Sequence, residues 1–139
     1  TTERSTLSHN TVEINGKNQS DVWGGFRVGN RAKIINIIEK KEEIQATHDG
    51  YGNILHTRIW STEKSKITIT DKLNCKTNAI SRFHFAPEIT KEEILKYFNL
   101  DNLSYSISTY LYSPQFNLTI NAFVLEIPFS KELKVSIRI

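Results

Sequence analysis

Residues 132–139 read ELKVSIRI, and the period of this octapeptide decides the fold class. Leu133, Val135, Ile137 and Ile139 alternate with Lys134, Ser136 and Arg138. Successive side chains of a strand point to opposite faces, so this pattern is a strand with one face buried and one wet. Residues 66–70, KITIT, repeat it with Ile67 and Ile69 against Lys66, Thr68 and Thr70. Further candidate strands are 11–15, 22–28, 31–38, 44–48, 54–61, 78–86, 104–113 and 117–127. Turn chemistry separates them: NGKN at 15–18, VGN at 28–30, DGYGN at 49–53 and SPQ at 113–115. EKKEE at 39–43 reads as a charged hairpin tip. About ten short strands with regular turns predict an all-β chain, an antiparallel β-sandwich.

One segment breaks the period. TKEEILKYFNL at 90–100 pairs Thr90 with Glu93 as a capping box and sets Ile94, Leu95 and Phe98 on one helical face. The expectation is one short helix near 90–100, inserted between strands.

The chain has 139 residues, enough for a single domain with a real core. A net charge of +3, with Lys and Arg interleaved with Glu, supplies no basic block of the kind that binds nucleic acid. There is no apolar run long enough to span a bilayer and no signal peptide in these residues. Cys75 is the single cysteine, so no internal disulfide and no cysteine-rich zinc site can form. The chain contains no Met and opens TTERST, which reads as part of a longer protein.

The four histidines, His9, His48, His56 and His84, include no HxH or HxxxH pair. Strand neighbours two apart share a face, so metal ligands on strands often come as HxH. The plain reading of each His is a half-buried strand residue. His48 and His56 flank DGYGN, close to a loop, where binding residues collect. In SRFHFAPE, Phe83 and Phe85 share one face and Arg82 and His84 the other. That pair is either the polar outer face of a core strand or an exposed binding pair. Trp23, Trp60 and the Tyr-rich STYLYS could stack on sugar rings, although aromatics at strand spacing more often fill a core. Asp71, after ITIT, reads as the start of a turn. No GxSxG, P-loop, GxGxxG or paired-carboxylate spacing is present.

SHNTVEINGKNQSDVWGGFRVGNRA, from residue 8, resembles the opening of the β-sheet domain of the heparinase II/III-like family of bacterial polysaccharide lyases and relatives. The matching positions are Ser8, His9, Asn10, Thr11, Val12, Gly16, Gln19, Ser20, Trp23, Phe26, Arg27, Arg31 and Ala32. Looser blocks follow in order. HDGYGNILHTR is similar to a HdGY…H.R segment, ITITDKL to l.i.D.l, and RFHFAPE to r.Hf.Pe. YSPQFN is similar to YSp.yg, with Asn117 where Gly is usual.

The resemblance implies the C-terminal antiparallel sandwich (supersandwich-like) of a longer chain, behind an N-terminal α/α toroid domain as its partner. The parent would cleave an acidic, uronate-containing polysaccharide by β-elimination, and a periplasmic or extracellular parent is favoured. His9 would be one ligand of a structural zinc in the parent, with another His and an Asp upstream. The fragment alone would hold no cofactor and no catalytic residue, because the Tyr proton donor and the uronate-neutralising His come from upstream. Trp23, Arg27, Arg31 and His84 are the expected substrate-binding residues. Two other readings stand beside this one. One is a non-catalytic carbohydrate-binding module. The other is a purely structural domain, which predicts an exposed apolar patch and an open sheet edge.

Overall fold

The structure is a computed structural model that describes residues 10–17, 21–22, 28–29, 32–115 and 117–139, with backbone alone at 21–22 and 28–29. The strands are β1 (Val12–Ile14), β2 (Asp21–Val22), β3 (Val28–Gly29), β4 (Ile34–Lys40), β5 (Glu43–Tyr51), β6 (Ile54–Glu63), β7 (Lys66–Leu73), β8 (Ala79–His84), β9 (Phe98–Asn99), β10 (Ser106–Gln115), β11 (Leu118–Phe129) and β12 (Glu132–Arg138). One helix, α1 (Lys91–Tyr97), interrupts them. Among the described residues a six-stranded sheet has the order β4-β5-β6-β7-β12-β9 and a four-stranded sheet the order β1-β8-β11-β10. All pairings are antiparallel. The all-β sandwich expected from the period of two is the observed fold.

Cross-strand register explains the core. Val135 of β12 stands opposite Ile69 of β7, and Leu133 opposite Asp71. Leu133 and Val135 meet Phe83, Leu125 and Ile127 of the smaller sheet, and Ile94 of α1 closes this cluster. Val12, Ile14 and Ala79 meet Leu73 in a second cluster. Burying each such side chain contributes about 1.5–3 kcal/mol, so the two inner faces hold the sheets together.

Turns follow the residue chemistry with some shifts. Asn15 and Gly16 both have positive φ, and Lys17 donates its N–H to the Ile14 carbonyl at 2.9 Å. That is the two-residue hairpin turn Asn-Gly favours. Asn117, where the resembled pattern has Gly, has φ 61°, a left-handed angle that Asn tolerates. The charged tip at 39–43 turns at Lys41 and Glu42.

Four local expectations are corrected. Val22 and Val28 do not share one strand as expected for 22–28, because they pair with each other as antiparallel partners. Val28–Gly29 is accordingly strand rather than turn. SPQ at 113–115 lies inside β10, where the register shifts after Tyr112. β10 is an edge strand, so Pro114 breaks no ladder on its free side. The helix stops at Tyr97, not at 100, because Phe98 and Asn99 pair with Ile137 and Ser136 as a strand. Its capping box is present as expected: Thr90 accepts from Glu93 N–H, and the Glu93 carboxylate accepts from Thr90 N–H.

Candidate functional site

The histidines flanking DGYGN lie directly opposite each other on β5 and β6. Arg58, two residues after His56 and so on the same face, lies opposite Asp71 of β7. The result is a polar network in the inter-sheet core. Asp71, 1% exposed, does not start a turn as the sequence suggested; it is the hub. Its Oδ1 accepts from His56 Nε2 at 2.7 Å and Arg58 Nε at 2.8 Å. Its Oδ2 accepts from Arg58 Nη2 at 3.0 Å and Ser81 Oγ at 3.1 Å. Arg58 Nη2 also donates to Ser81 Oγ at 3.2 Å, and Nη1 donates to the Asn10 carbonyl at 2.9 Å. Ser81 is on β8 of the other sheet, so its hydrogen bonds tie the Arg58–Asp71 ion pair of one sheet to the other.

Proton positions follow from one donor that has no choice. The Gly50 N–H donates to His48 Nδ1 at 3.1 Å, which leaves the proton of a neutral ring on Nε2. His48 Nε2 then donates to His56 Nδ1 at 2.9 Å, and His56 Nε2–H donates to Asp71. Burial, and then the neighbouring His56, lower the His48 pKa to about 4, so the ring is neutral at pH 7. Burial raises the Asp71 pKa, but the hydrogen bonds from His56 and Arg58 outweigh it and hold the carboxyl below its ordinary value. Every ring nitrogen of His48 and His56 is engaged. Neither can take a proton from a substrate or bind a metal without breaking the chain, so this network holds structure rather than performing chemistry.

The network reaches the surface through Asn10. While the Asn10 carbonyl caps Arg58, its side-chain Oδ1 accepts the His84 backbone N–H at 2.6 Å and lies 3.0 Å from His84 Nδ1. Tyr110 of β10 packs edge-on to His84, with ring centroids 4.8 Å apart. The Tyr110 hydroxyl donates to the Phe85 carbonyl at 2.6 Å. Burial raises the Tyr110 pKa, with Tyr112 adding to the effect, so this phenol stays protonated. Asn10, His84 and Tyr110 therefore form one ordered cluster at the end of β8. It is the candidate site.

Of the residues expected from the sequence to bind substrate, His84 falls in this cluster. Trp23, Arg27 and Arg31, and the expected zinc ligand His9, lie outside the described residues. Arg82 is not an exposed partner for His84; it is 5% exposed and paired with Glu126 at 2.8 Å and Glu13 at 3.3 Å. Trp60 and STYLYS stand on different sheets, so they form no common platform. Among the described residues, no three His, Cys, Asp or Glu side chains come together as a metal site. No helix there is long and apolar enough to cross a membrane.

Sequence reasoning missed Asp71 and the His48–His56 pairing. A signal was present. His48, Tyr51, His56, Arg58, Asp71 and His84 are among the polar residues of the looser resemblance blocks, and the fold links them through hydrogen bonds and Asn10. Tyr51 joins them by donating its hydroxyl to the Val12 carbonyl, again from sheet to sheet.

Two antiparallel sheets with a polar inter-sheet anchor beside a His–Asn–Tyr cluster define an all-β sandwich domain. Residues 1–126 match the family described as heparinase II/III-like, C-terminal, and the chain belongs to that family. Solved structures share the fold. The heparan sulfate lyase HepC from Pedobacter heparinus superposes with a TM-score of 0.63 at 15% identity, over 97% of this chain and 24% of that one. The heparinase III BT4657 gene product gives 0.63 at 12% identity, over 98% and 24%. The chain thus spans about a quarter of the length of these solved structures. A search of curated protein sequences found no match.

Proposed function

We propose that the chain serves as the C-terminal β-sandwich of a polysaccharide lyase that cleaves a uronate-containing polymer by β-elimination. The family match over residues 1–126 carries this reading. In it, the Asn10–His84–Tyr110 cluster lies at one wall of the substrate cleft, and Trp23, Arg27 and Arg31 contribute to the same wall. The α/α toroid of the parent supplies the Tyr and His that move protons, and the 139-residue chain alone is inactive. His9 gives one ligand to a structural zinc completed by residues outside this chain, as the resemblance implies. A fold alone does not fix a reaction, so activity is the test. Absorbance of the unsaturated uronate product is followed on heparin, heparan sulfate, alginate and hyaluronan. The full-length protein is expected to produce it on at least one polymer, and the 139-residue chain on none. Silence of the full-length protein on all four would overturn the reading. Cleavage by the chain alone would move the catalytic groups to its own His and Tyr residues.

A second reading, a purely structural module, is favoured by one observation. Ile37, Ile44 and Trp60 lie on the same sheet face as core residues Ile69 and Val135, yet are 55%, 49% and 38% exposed. This end of the inner face has no cover among the described residues. Under that reading Ile37→Lys destabilises the full-length protein and leaves cleavage chemistry unchanged.

A further inference from the structure

A cleft of about 840 Å³ opens where the C-terminal ends of α1 and β12 meet the loop after β9. Lys66, Lys96 and Arg138 line it, against Asp101 as its single acid. Tyr97 and Tyr105 line it too and are 40% and 43% exposed. The cations are partly preorganised. Arg138 Nη2 donates to the Lys96 carbonyl at 3.0 Å, which fixes the guanidinium at the helix C-terminus. The Lys96 ammonium sits 5.3 Å from the centre of the Tyr97 ring. Lys66 has only a loose, solvent-exposed contact with Glu63 at 4.0 Å.

We propose that this cleft binds an acidic polysaccharide segment, its sulfate or carboxylate groups on Lys66, Lys96 and Arg138 and its sugar faces on Tyr97 and Tyr105. Three cations against one acid select an anion. Guanidinium pairs with carboxylate or sulfate through two parallel hydrogen bonds. Two exposed phenol rings add flat apolar faces with polar rims, which suit the C–H faces of a pyranose better than an acidic peptide. The lining side chains come from β7, α1, the β9 loop and β12, so the cleft is set by the fold rather than by one flexible loop. Asn10, His84 and Tyr110 are not among its lining residues. The site rests on the lyase reading only for the choice of polymer.

Binding, not turnover, is the readout. Heparan sulfate, alginate, hyaluronan, neutral dextran and polyglutamate are titrated into the full-length protein. The same is done with Lys66→Glu/Arg138→Glu and with Tyr105→Ala, and each variant's thermal midpoint is checked against wild type. Charge reversal at two exposed cations is expected to weaken the best acidic polysaccharide by about tenfold and to flatten its salt dependence. Tyr105→Ala is expected to weaken it by about fivefold with the salt dependence kept. Unchanged affinity in both variants would overturn the site. So would wild-type binding of polyglutamate in preference to every acidic polysaccharide, or no binding of any of them. Loss of binding in the variants alongside a full-length protein that cleaves no uronan would leave this site standing and remove the lyase reading.

Discussion

Removing the Asp71 carboxylate should cost as much as the severest truncations of apolar core residues. Asp71→Ala strips four hydrogen bonds at 2.7–3.1 Å and leaves the Arg58 guanidinium, 8% exposed, without its counter-charge. Breaking one partner of a buried ion pair costs about 3–5 kcal/mol, most of it the penalty of the stranded charge. Arg58→Met strands Asp71 instead and should cost about 3 kcal/mol, because His56 and Ser81 still donate to it. If the two losses were independent they would add. They are not, since the double variant Arg58→Met/Asp71→Ala leaves no buried charge in this network. What remains unpaired is the Asn10 carbonyl, the His56 N–H and the Ser81 hydroxyl, at about 1 kcal/mol or more each. The double variant should therefore be about 2–3 kcal/mol less destabilised than the additive sum, within the range measured for contacting residues. Urea denaturation of the three variants and wild type, with a common m value, gives the coupling. Additivity to within about 0.5 kcal/mol would mean that the guanidinium and carboxylate do not act as a unit, and the inter-sheet anchor would have to be abandoned. Acid tests the same group: the Asp71 pKa is lowered on folding, so its contribution is present above the unfolded value of 3.8 and is lost as pH falls below it.

Lowering the pH from 6.5 to about 4 should destabilise the protein through His48, because the unfolded ring takes a proton in that window and the folded ring does not. The ring is only partly buried, so water screening reduces the effect from a ceiling of about 3 kcal/mol to about 1–2 kcal/mol; His48→Asn should flatten this part of the stability–pH curve, and an unaltered slope would assign it elsewhere. Thr90→Ala should cost about 1 kcal/mol by opening the capping box, read as a lower thermal midpoint. Leu125→Ala, at a fully buried position between the sheets, should cost about 2–5 kcal/mol by leaving a cavity, read as a lower urea midpoint.

Much of the fold is legible in the residues because strand periodicity is a local property. ELKVSIRI and KITIT each show which residues go inward, and the structure pairs them residue for residue, Val135 against Ile69 and Ile137 against Ile67. The capping box is equally local, four residues that satisfy one another. Errors arise where a partner far along the chain overrides local preference. Phe98 continues the helical face of Ile94, but an unpaired edge at β12 takes it as a strand. Pro114 looks like a turn, but an edge strand accepts it.

The candidate site divides in the same way. The HNT segment and the HdGY…H.R, l.i.D.l and r.Hf.Pe blocks single out its residues without saying that they touch. His48 and His56 are eight residues apart, Arg58 and Asp71 thirteen, and Asn10 and His84 seventy-four. No periodicity carries such separations. By itself the sequence determined an antiparallel all-β chain, the alternation of its strands and its family, because these depend on near neighbours and on motif order. Only the tertiary structure decided that Asp71 is a buried hub rather than a turn, that Arg82 is taken by two glutamates, and that Asn10 joins the core anchor to His84. Those roles depend on cross-strand register and on how two sheets meet. Both are settled by packing and by the demand that every buried charge find a partner.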